Sequence, residues 1–347
     1  MSHKEINRKE RVVLICPGRG TYNQAEWGYL KRYHTDKAEL LEAFDTFREG
    51  AGQPGLQALD SELPFQLKLH SRGDHASALI YACAYADALS IDPERYEVVA
   101  VTGNSLGWYI TLAAAGSLPP MIALELINTM GQLMQEALIG GQLIYPCSDE
   151  QWVPQPELRA SLLALATEQG AELSIDLGGM LVFGGQADAL QRLSDKLPPR
   201  DPFPMKLHNH AAFHTSLQQP VLEKARNTLA HLAFNPPSIP MIDGRGKIWT
   251  SWSSDPQLLW DYTLGHQLVK PYDFARAIQV AVKEFAPDKL VLLGPGSTLG
   301  GSIAQSLIQA GAYNLTSKAD FIARQQSDPV LLSMGIEEQR QRLLPPE

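Results

Sequence analysis

The residues whose types and spacing could do chemistry are a serine between two glycines and a small group of histidines. Gly103-Asn104-Ser105-Leu106-Gly107 fits G-x-S-x-G and follows the apolar run Val98-Val99-Ala100-Val101. Tyr109-Ile110-Thr111-Leu112-Ala113-Ala114-Ala115-Gly116 comes next and favours a helix. A buried strand, a tight turn and a helix are the surroundings in which this motif presents a serine hydroxyl as a nucleophile. Glycines suit a reversal where Cβ atoms would collide, and the helix N-terminus offers free N–H groups to a developing negative charge. Ser105 is the expected nucleophile.

A nucleophilic serine needs a base for its proton and a group that fixes the tautomer of that base. His208, His210 and His214 lie close together, and His266 follows later. No carboxylate or cysteine stands near the first three, and their spacing does not put all of them on one face. One working histidine is expected there rather than a metal site. In α/β-hydrolases the order is serine, acid, then a late histidine. If His214 is the base, too much chain follows it for that layout, and no acid in a strand-end context stands before His266.

Other elements must position these groups. Val12-Val13-Leu14-Ile15-Cys16 reads as a buried strand entering the turn Pro17-Gly18-Arg19-Gly20-Thr21. That turn fits neither G-x-G-x-x-G nor a Walker loop, so it is expected to bring backbone N–H groups to an active site rather than to a nucleotide. An alanine-rich helix is expected over 74–89. A second, over 121–137, carries Ile122, Leu126, Met130 and Met134 on one face. Between 141 and 207 the order strand, helix, strand, strand, helix, strand indicates a ferredoxin-like subdomain. Lys289–Leu293 reads as a third buried strand, and the polar tail from Ser327 as a loosely attached helix.

Bulk properties narrow the classes. The 347 residues are 44% hydrophobic and 19% charged, as in a soluble globular protein. A net charge of −9 argues against general nucleic-acid binding. No apolar run approaches a membrane span, and the charged opening Met1–Arg11 lacks a leader's apolar region. Cys16, Cys83 and Cys147 are widely spaced and odd in number, which suits buried reduced thiols in a cytoplasmic protein.

Taken in order, these segments resemble the malonyl-CoA:acyl carrier protein transacylases and the acyltransferase domains of polyketide synthases, over about residues 10–315. Pro17-Gly18-x-Gly20 resembles P-G-Q-G, and Gly103-x-Ser105-Leu106-Gly107-x-Tyr109 with Ala114-Ala115-Gly116 resembles G-H-S-L-G-E-Y…A-A-G. Gly131-x-x-Met134-Gln135, Ala212-Phe213-His214-Thr215, Gln267-Leu268-Val269-Lys270-Pro271 and Gly294-Pro295-Gly296 resemble further motifs in the same order. The resemblance implies an α/β fold, with an α/β-hydrolase-like large domain around a parallel sheet (1–140 and 208–347) and an inserted ferredoxin-like subdomain (141–207). It implies a Ser105/His214 dyad, a main-chain carbonyl at or near Gln267 orienting the imidazole, and an oxyanion hole from the N–H groups of Arg19 and Leu106. The implied reaction is ping-pong acyl transfer from acyl-CoA to the phosphopantetheine thiol of an acyl carrier protein, in fatty-acid or polyketide synthesis. No cofactor, metal, nucleic acid or membrane is expected.

Six positions depart from the family pattern: Arg19 for Gln, Asn104 for His, Trp108 for Glu, Asp176 for Asn, Met180 for Gln and Met130 for Arg. Met130, Asn104, Trp108, Phe213 and Asp176 are the expected substrate-facing residues. The arginine missing at Met130 would pair with the malonyl carboxylate, so a neutral acyl group is expected. Under the rival account, Arg19 swings its side chain into the pocket and supplies the charge. A carrier-protein acyl hydrolase and a non-catalytic docking subunit remain alternatives. Lys206, Lys270 and Arg276 are the basic candidates for carrier docking.

Overall fold

The computed structural model describes residues 8–346, so the opening segment through residue 7, on which most of the leader argument rests, lies outside the described residues. Among the described residues, eleven strands form two sheets. The larger holds β1 (Glu10–Cys16), β2 (Tyr96–Gly103), β7 (Met241–Ile242), β8 (Ile248–Trp249), β10 (Lys289–Leu292) and β11 (Leu331–Ser333), in the order β11-β10-β1-β2-β7-β8. All its neighbours are parallel except β7 and β8. β1 and β10 are buried along nearly their whole length, as parallel strands covered on both faces must be. β2 is buried at Tyr96 and from Ala100 onward, and Val98 and Val99 are only partly buried where the register against β1 shifts between Val12 and Val13.

The smaller sheet holds β3 (Gly141–Pro146), β4 (Glu172–Asp176), β5 (Met180–Gly185) and β6 (Met205–Lys206), with the helices Pro156–Gln169 and Ala187–Lys196 between them. Its order, β6-β3-β5-β4, with antiparallel pairs, is that of a ferredoxin-like sheet. β9 (Tyr272–Asp273) joins it in parallel beside β4, so a strand from far along the chain ties the two sheets together.

The molecule is therefore α/β. Its helix Gly73–Ser90 packs on the helix Pro120–Ala137 through Gly73 and Gly131, where a Cβ on either glycine would collide with the carbonyl of the other. Pro120 starts the second helix, a position where its missing N–H costs nothing.

The tail corrects the expectation of loose attachment. Leu331–Ser333 adds an edge strand to β10, and Arg340 is buried, donating to Asp87 Oδ1 at 2.6 Å and stacking on Tyr33. A polar residue reads as surface until a distant carboxylate neutralises it, and Asp87 is such a partner. Among the described residues no helix is long and apolar enough to cross a membrane, and all three cysteines are buried and unpaired.

Candidate active site

Register brings the two glycine turns together. β1 pairs with β2 so that Cys16 lies opposite Gly103, and the Asn104 N–H donates to the Cys16 carbonyl at 3.1 Å. Both turns therefore emerge side by side at the carboxyl ends of parallel strands, where α/β sheets place their ligands. A Cβ on Gly103 would collide with the Gly107 carbonyl, and one on Gly107 with the Cys16 carbonyl. This close approach puts the helix Leu106–Ala114 directly behind the turn. Ser105 stands at its N-cap with φ 56° and ψ −107°, a left-handed conformation rare for a residue with a side chain.

The serine hydroxyl meets a histidine. Ser105 Oγ is 2.7 Å from His214 Nε2, and His214 Nδ1 is 2.6 Å from the Gln267 carbonyl. A carbonyl only accepts, so Nδ1 carries the proton and Nε2 is left as the acceptor for the serine hydroxyl. Burial pushes the His214 imidazole down to about 4, against the opposing pull of the Gln267 carbonyl. The ring is therefore neutral at pH 7. His214 itself has φ 57°, and its N–H donates to the Leu268 carbonyl at 3.1 Å.

Gln267 does more than orient the ring. Its Nε2 donates to the Ser105 carbonyl at 3.2 Å, and its Oε1 accepts from Tyr109 Oη at 2.9 Å. Tyr272 Oη donates to the Gly103 carbonyl at 2.6 Å. These three side chains fix the strained turn, and their part in it was not anticipated from the sequence. Tyr109 and Gln267 lie in the motifs above, but a side-chain relay between distant segments leaves no local pattern. Among the described residues, the backbone N–H groups of Arg19 and Leu106 have no acceptor, so both are free for an oxyanion.

Two spaces open at Ser105. A small cavity of about 30 Å³ is lined by Ser105, Leu106, Met130, Met134, Phe213, Arg19 and their neighbours. A groove of about 460 Å³ runs outward between the two sheets, lined by Arg19, Asn104, Ser105, Phe213, aliphatic side chains such as Ile144, Leu177 and Leu207, and polar ones such as Ser71 and Gln142. His208 and His210 line this groove too, and His210 Nδ1 pairs with Gln142 Oε1 at 2.8 Å. The three clustered histidines thus have separate surroundings. Among the described residues no group of three His, Cys, Asp or Glu is placed to hold a metal.

Other expected substrate-facing residues lie elsewhere. Trp108 is fully buried, with Nε1 donating to Thr263 Oγ1 at 3.0 Å and its ring edge-on to Tyr262. One position past Gly107, the helix turns it away from both spaces. Asp176 pairs with Arg159 at 2.7 Å and accepts the Gly178 N–H at 2.9 Å. Strand alternation explains this, since its neighbours Ile175 and Leu177 face the groove instead. Arg19 bears on the expectation of a neutral pocket, which kept its side chain out of the small cavity. It lines that cavity, because Ser71 O and Asn209 O hold Nη2 there at 2.9 and 3.1 Å. Of the basic docking candidates, Lys206 follows the groove residue Met205, whereas Arg276 packs its side chain against Gly246.

No protein-family profile matches the chain. It is 25% identical over 298 residues to one component of the phenolphthiocerol/phthiocerol polyketide synthase of Mycobacterium tuberculosis, covering 84% of this chain and 19% of that protein. It is 24% identical over 212 residues to the malonyl CoA-acyl carrier protein transacylase of Escherichia coli K12, covering 58% of this chain and 63% of that one. The chain thus spans about a fifth of the polyketide synthase protein it matches. In structure it is similar to the malonyl-CoA:acyl carrier protein transacylase of Synechocystis, with TM-score 0.74 and 17% identity over 96% of this chain and all of that one. A second such structure is a malonyl-transacylase in complex with a type II polyketide synthase acyl-carrier protein, with TM-score 0.72 and 18% identity over 97% of this chain and 99% of that one. In sequence the chain is thus similar to a polyketide synthase protein and to a malonyl CoA-acyl carrier protein transacylase, and it shares the fold of the malonyl-CoA:acyl carrier protein transacylases.

Proposed function

We propose that this chain is an acyltransferase that moves an acyl group from one pantetheine thioester to another pantetheine thiol through an acyl-serine on Ser105. The observation that carries the reading is the line of contacts from Ser105 Oγ to His214 Nε2 and from His214 Nδ1 to the Gln267 carbonyl. A neutral imidazole held in that tautomer accepts the serine proton as Oγ attacks the thioester carbon. The tetrahedral oxyanion meets the N–H groups of Arg19 and Leu106, each such donor contributing roughly 3 kcal/mol. Collapse breaks the C–S bond, the departing sulfur takes the proton from His214 Nε2, and the acyl group remains on Oγ.

The second half reverses the first. An incoming thiol gives its proton to His214, its thiolate attacks the acyl-serine carbon, and Ser105 Oγ recovers the proton on leaving. No metal or redox group is needed for either half. The groove of about 460 Å³ leading to Ser105 suits the narrow pantetheine arm. The relatives' names support a carrier protein as acceptor. Met130 gives the small cavity an apolar floor that by itself favours a neutral acyl group, and the Arg19 side chain opposes that preference.

The test incubates the protein with a radiolabelled acyl-CoA, with and without a holo acyl carrier protein, and follows the label. Transfer to the carrier, with little free acid formed in its absence, supports the proposal. Release of the label mainly as free acid whether or not carrier is present overturns it in favour of hydrolysis.

A further inference from the structure

We infer that Arg19 is the specificity-determining residue of the small cavity and selects a short acyl group that ends in a carboxylate. The inference rests on the acyl-serine reading above and deepens it. It begins with the bonding of one guanidinium. Arg19 Nη2 spends both hydrogens on the carbonyls of Ser71 and Asn209. Nε is buried without any partner, and Nη1 makes no hydrogen bond among the described residues. Two backbone carbonyls engage part of a five-donor group and leave its charge unpaired.

Among the described residues no carboxylate hydrogen-bonds to it. The nearby acid is Asp74, and its two oxygens are already taken by Arg72, Nε to Oδ1 at 3.0 Å and Nη2 to Oδ2 at 2.9 Å. A further arginine, Arg48, is buried in the same region, donating from Nη1 to the Asp74 carbonyl at 2.9 Å. The cluster beside Arg19, with Arg48 and Arg72 against Asp74 and Asp45, therefore holds more positive than negative charge. Burial lowers the Arg19 guanidinium to about 10, which still leaves it charged at neutral pH.

Position makes the charge available to substrate. Arg19 lines the cavity together with Ser105 and Met130, and its guanidinium lies over the Phe213 ring, 5.5 Å from the centroid. Its Nη1 stands 3.7 Å from where a Cβ on Gly73 would be. The crossing of Gly73 on Gly131 thus leaves room for this head group beside Met130. A part-buried, half-paired cation carries a desolvation cost, and an anion that reaches its free N–H groups relieves it, whereas a methyl group leaves it in place. The cavity is small and two methionines are its movable walls, so it suits a short acyl group rather than a long chain.

A purely structural Arg19, strapping Ser71 to Asn209, would affect all acyl groups alike, so the readout is a ratio. The kcat/KM for acylation of Ser105 is measured with malonyl-CoA and acetyl-CoA on the wild type, Arg19→Gln, Arg19→Lys and the double variant Arg19→Gln/Met130→Arg. The wild-type ratio should favour malonyl, and Arg19→Gln should lower that ratio by about 100-fold, the size of a lost charge-assisted contact. Arg19→Lys should retain part of it, and the double variant should restore part, since Met130 faces the same space. A wild-type preference for acetyl overturns the inference without any variant, and so does a ratio that Arg19→Gln leaves unchanged. Failure of both esters to acylate Ser105 is a different result and defeats the acyl-serine reading itself.

Discussion

Between Gly103 and Gly107, five consecutive residues supply the proposed nucleophile, the helix N-cap and one free N–H group, and the constraints on them are mostly backbone. The small cavity facing Ser105 is assembled differently. Arg19 comes from the turn after β1, Ser77 from the helix Gly73–Ser90, Met130 and Met134 from Pro120–Ala137, and Phe213 from the segment that carries His214. The first region is specified by sequence neighbours and the second by tertiary packing. The comparison teaches that changes in the turn should stop the reaction, while changes in the cavity wall should redirect it.

The largest expected effect comes from removing the proposed base. His214→Ala should slow acylation by on the order of 10⁴-fold or more, with the fold kept, as read by single-turnover kinetics and circular dichroism. The same residue sets a pH profile. With its folded value near 4, His214 stays neutral and the acylation rate should be flat from neutral pH down to about 5, falling through pH 4. Its stability signature has the same direction. From about pH 6.5 down to 4 the unfolded chain takes up a proton on this ring and the folded chain does not, so the folded state loses stability as pH falls through that window. A rate limb at pH 6–7 would mean an ordinary, solvated imidazole.

Next in size is the turn itself. Gly107→Ala pushes a methyl group into the Cys16 carbonyl and moves the N-terminal turn of the helix. It should cost roughly 10²- to 10³-fold in kcat, comparable to losing an oxyanion donor. An alanine variant with wild-type kcat would show that the turn tolerates displacement. Tyr109→Phe, which frees Gln267 Oε1, should lower kcat by about tenfold with little change in KM. The smallest effect belongs to a residue outside both regions. Asp176→Asn should weaken the fold by about 1 kcal/mol in urea titrations and leave turnover unaltered, because its partners are Arg159 and Gly178.

That last contrast shows what the sequence could carry. The glycines, Ser105 and the ferredoxin-like order were legible because each depends on near neighbours and on the period of apolar residues. His214 and Gln267 were legible through motifs. Trp108 and Asp176 were not, since which face a helix or strand turns to a groove depends on packing from other segments. Nor was the tail, because Arg340 finds Asp87 across the fold. Arg19 was half legible. Its N–H belongs to the turn, but its side chain is held by carbonyls 52 and 190 residues away.

The account stands most directly on a covalent adduct. Wild-type protein and Ser105→Ala are mixed with malonyl-CoA, quenched in acid and examined intact and as peptides by mass spectrometry. The account predicts one acyl group on the peptide carrying Ser105, lost when a holo carrier protein is added before the quench, and no adduct on Ser105→Ala. Malonylation that persists in Ser105→Ala, or that maps to another residue, would contradict it.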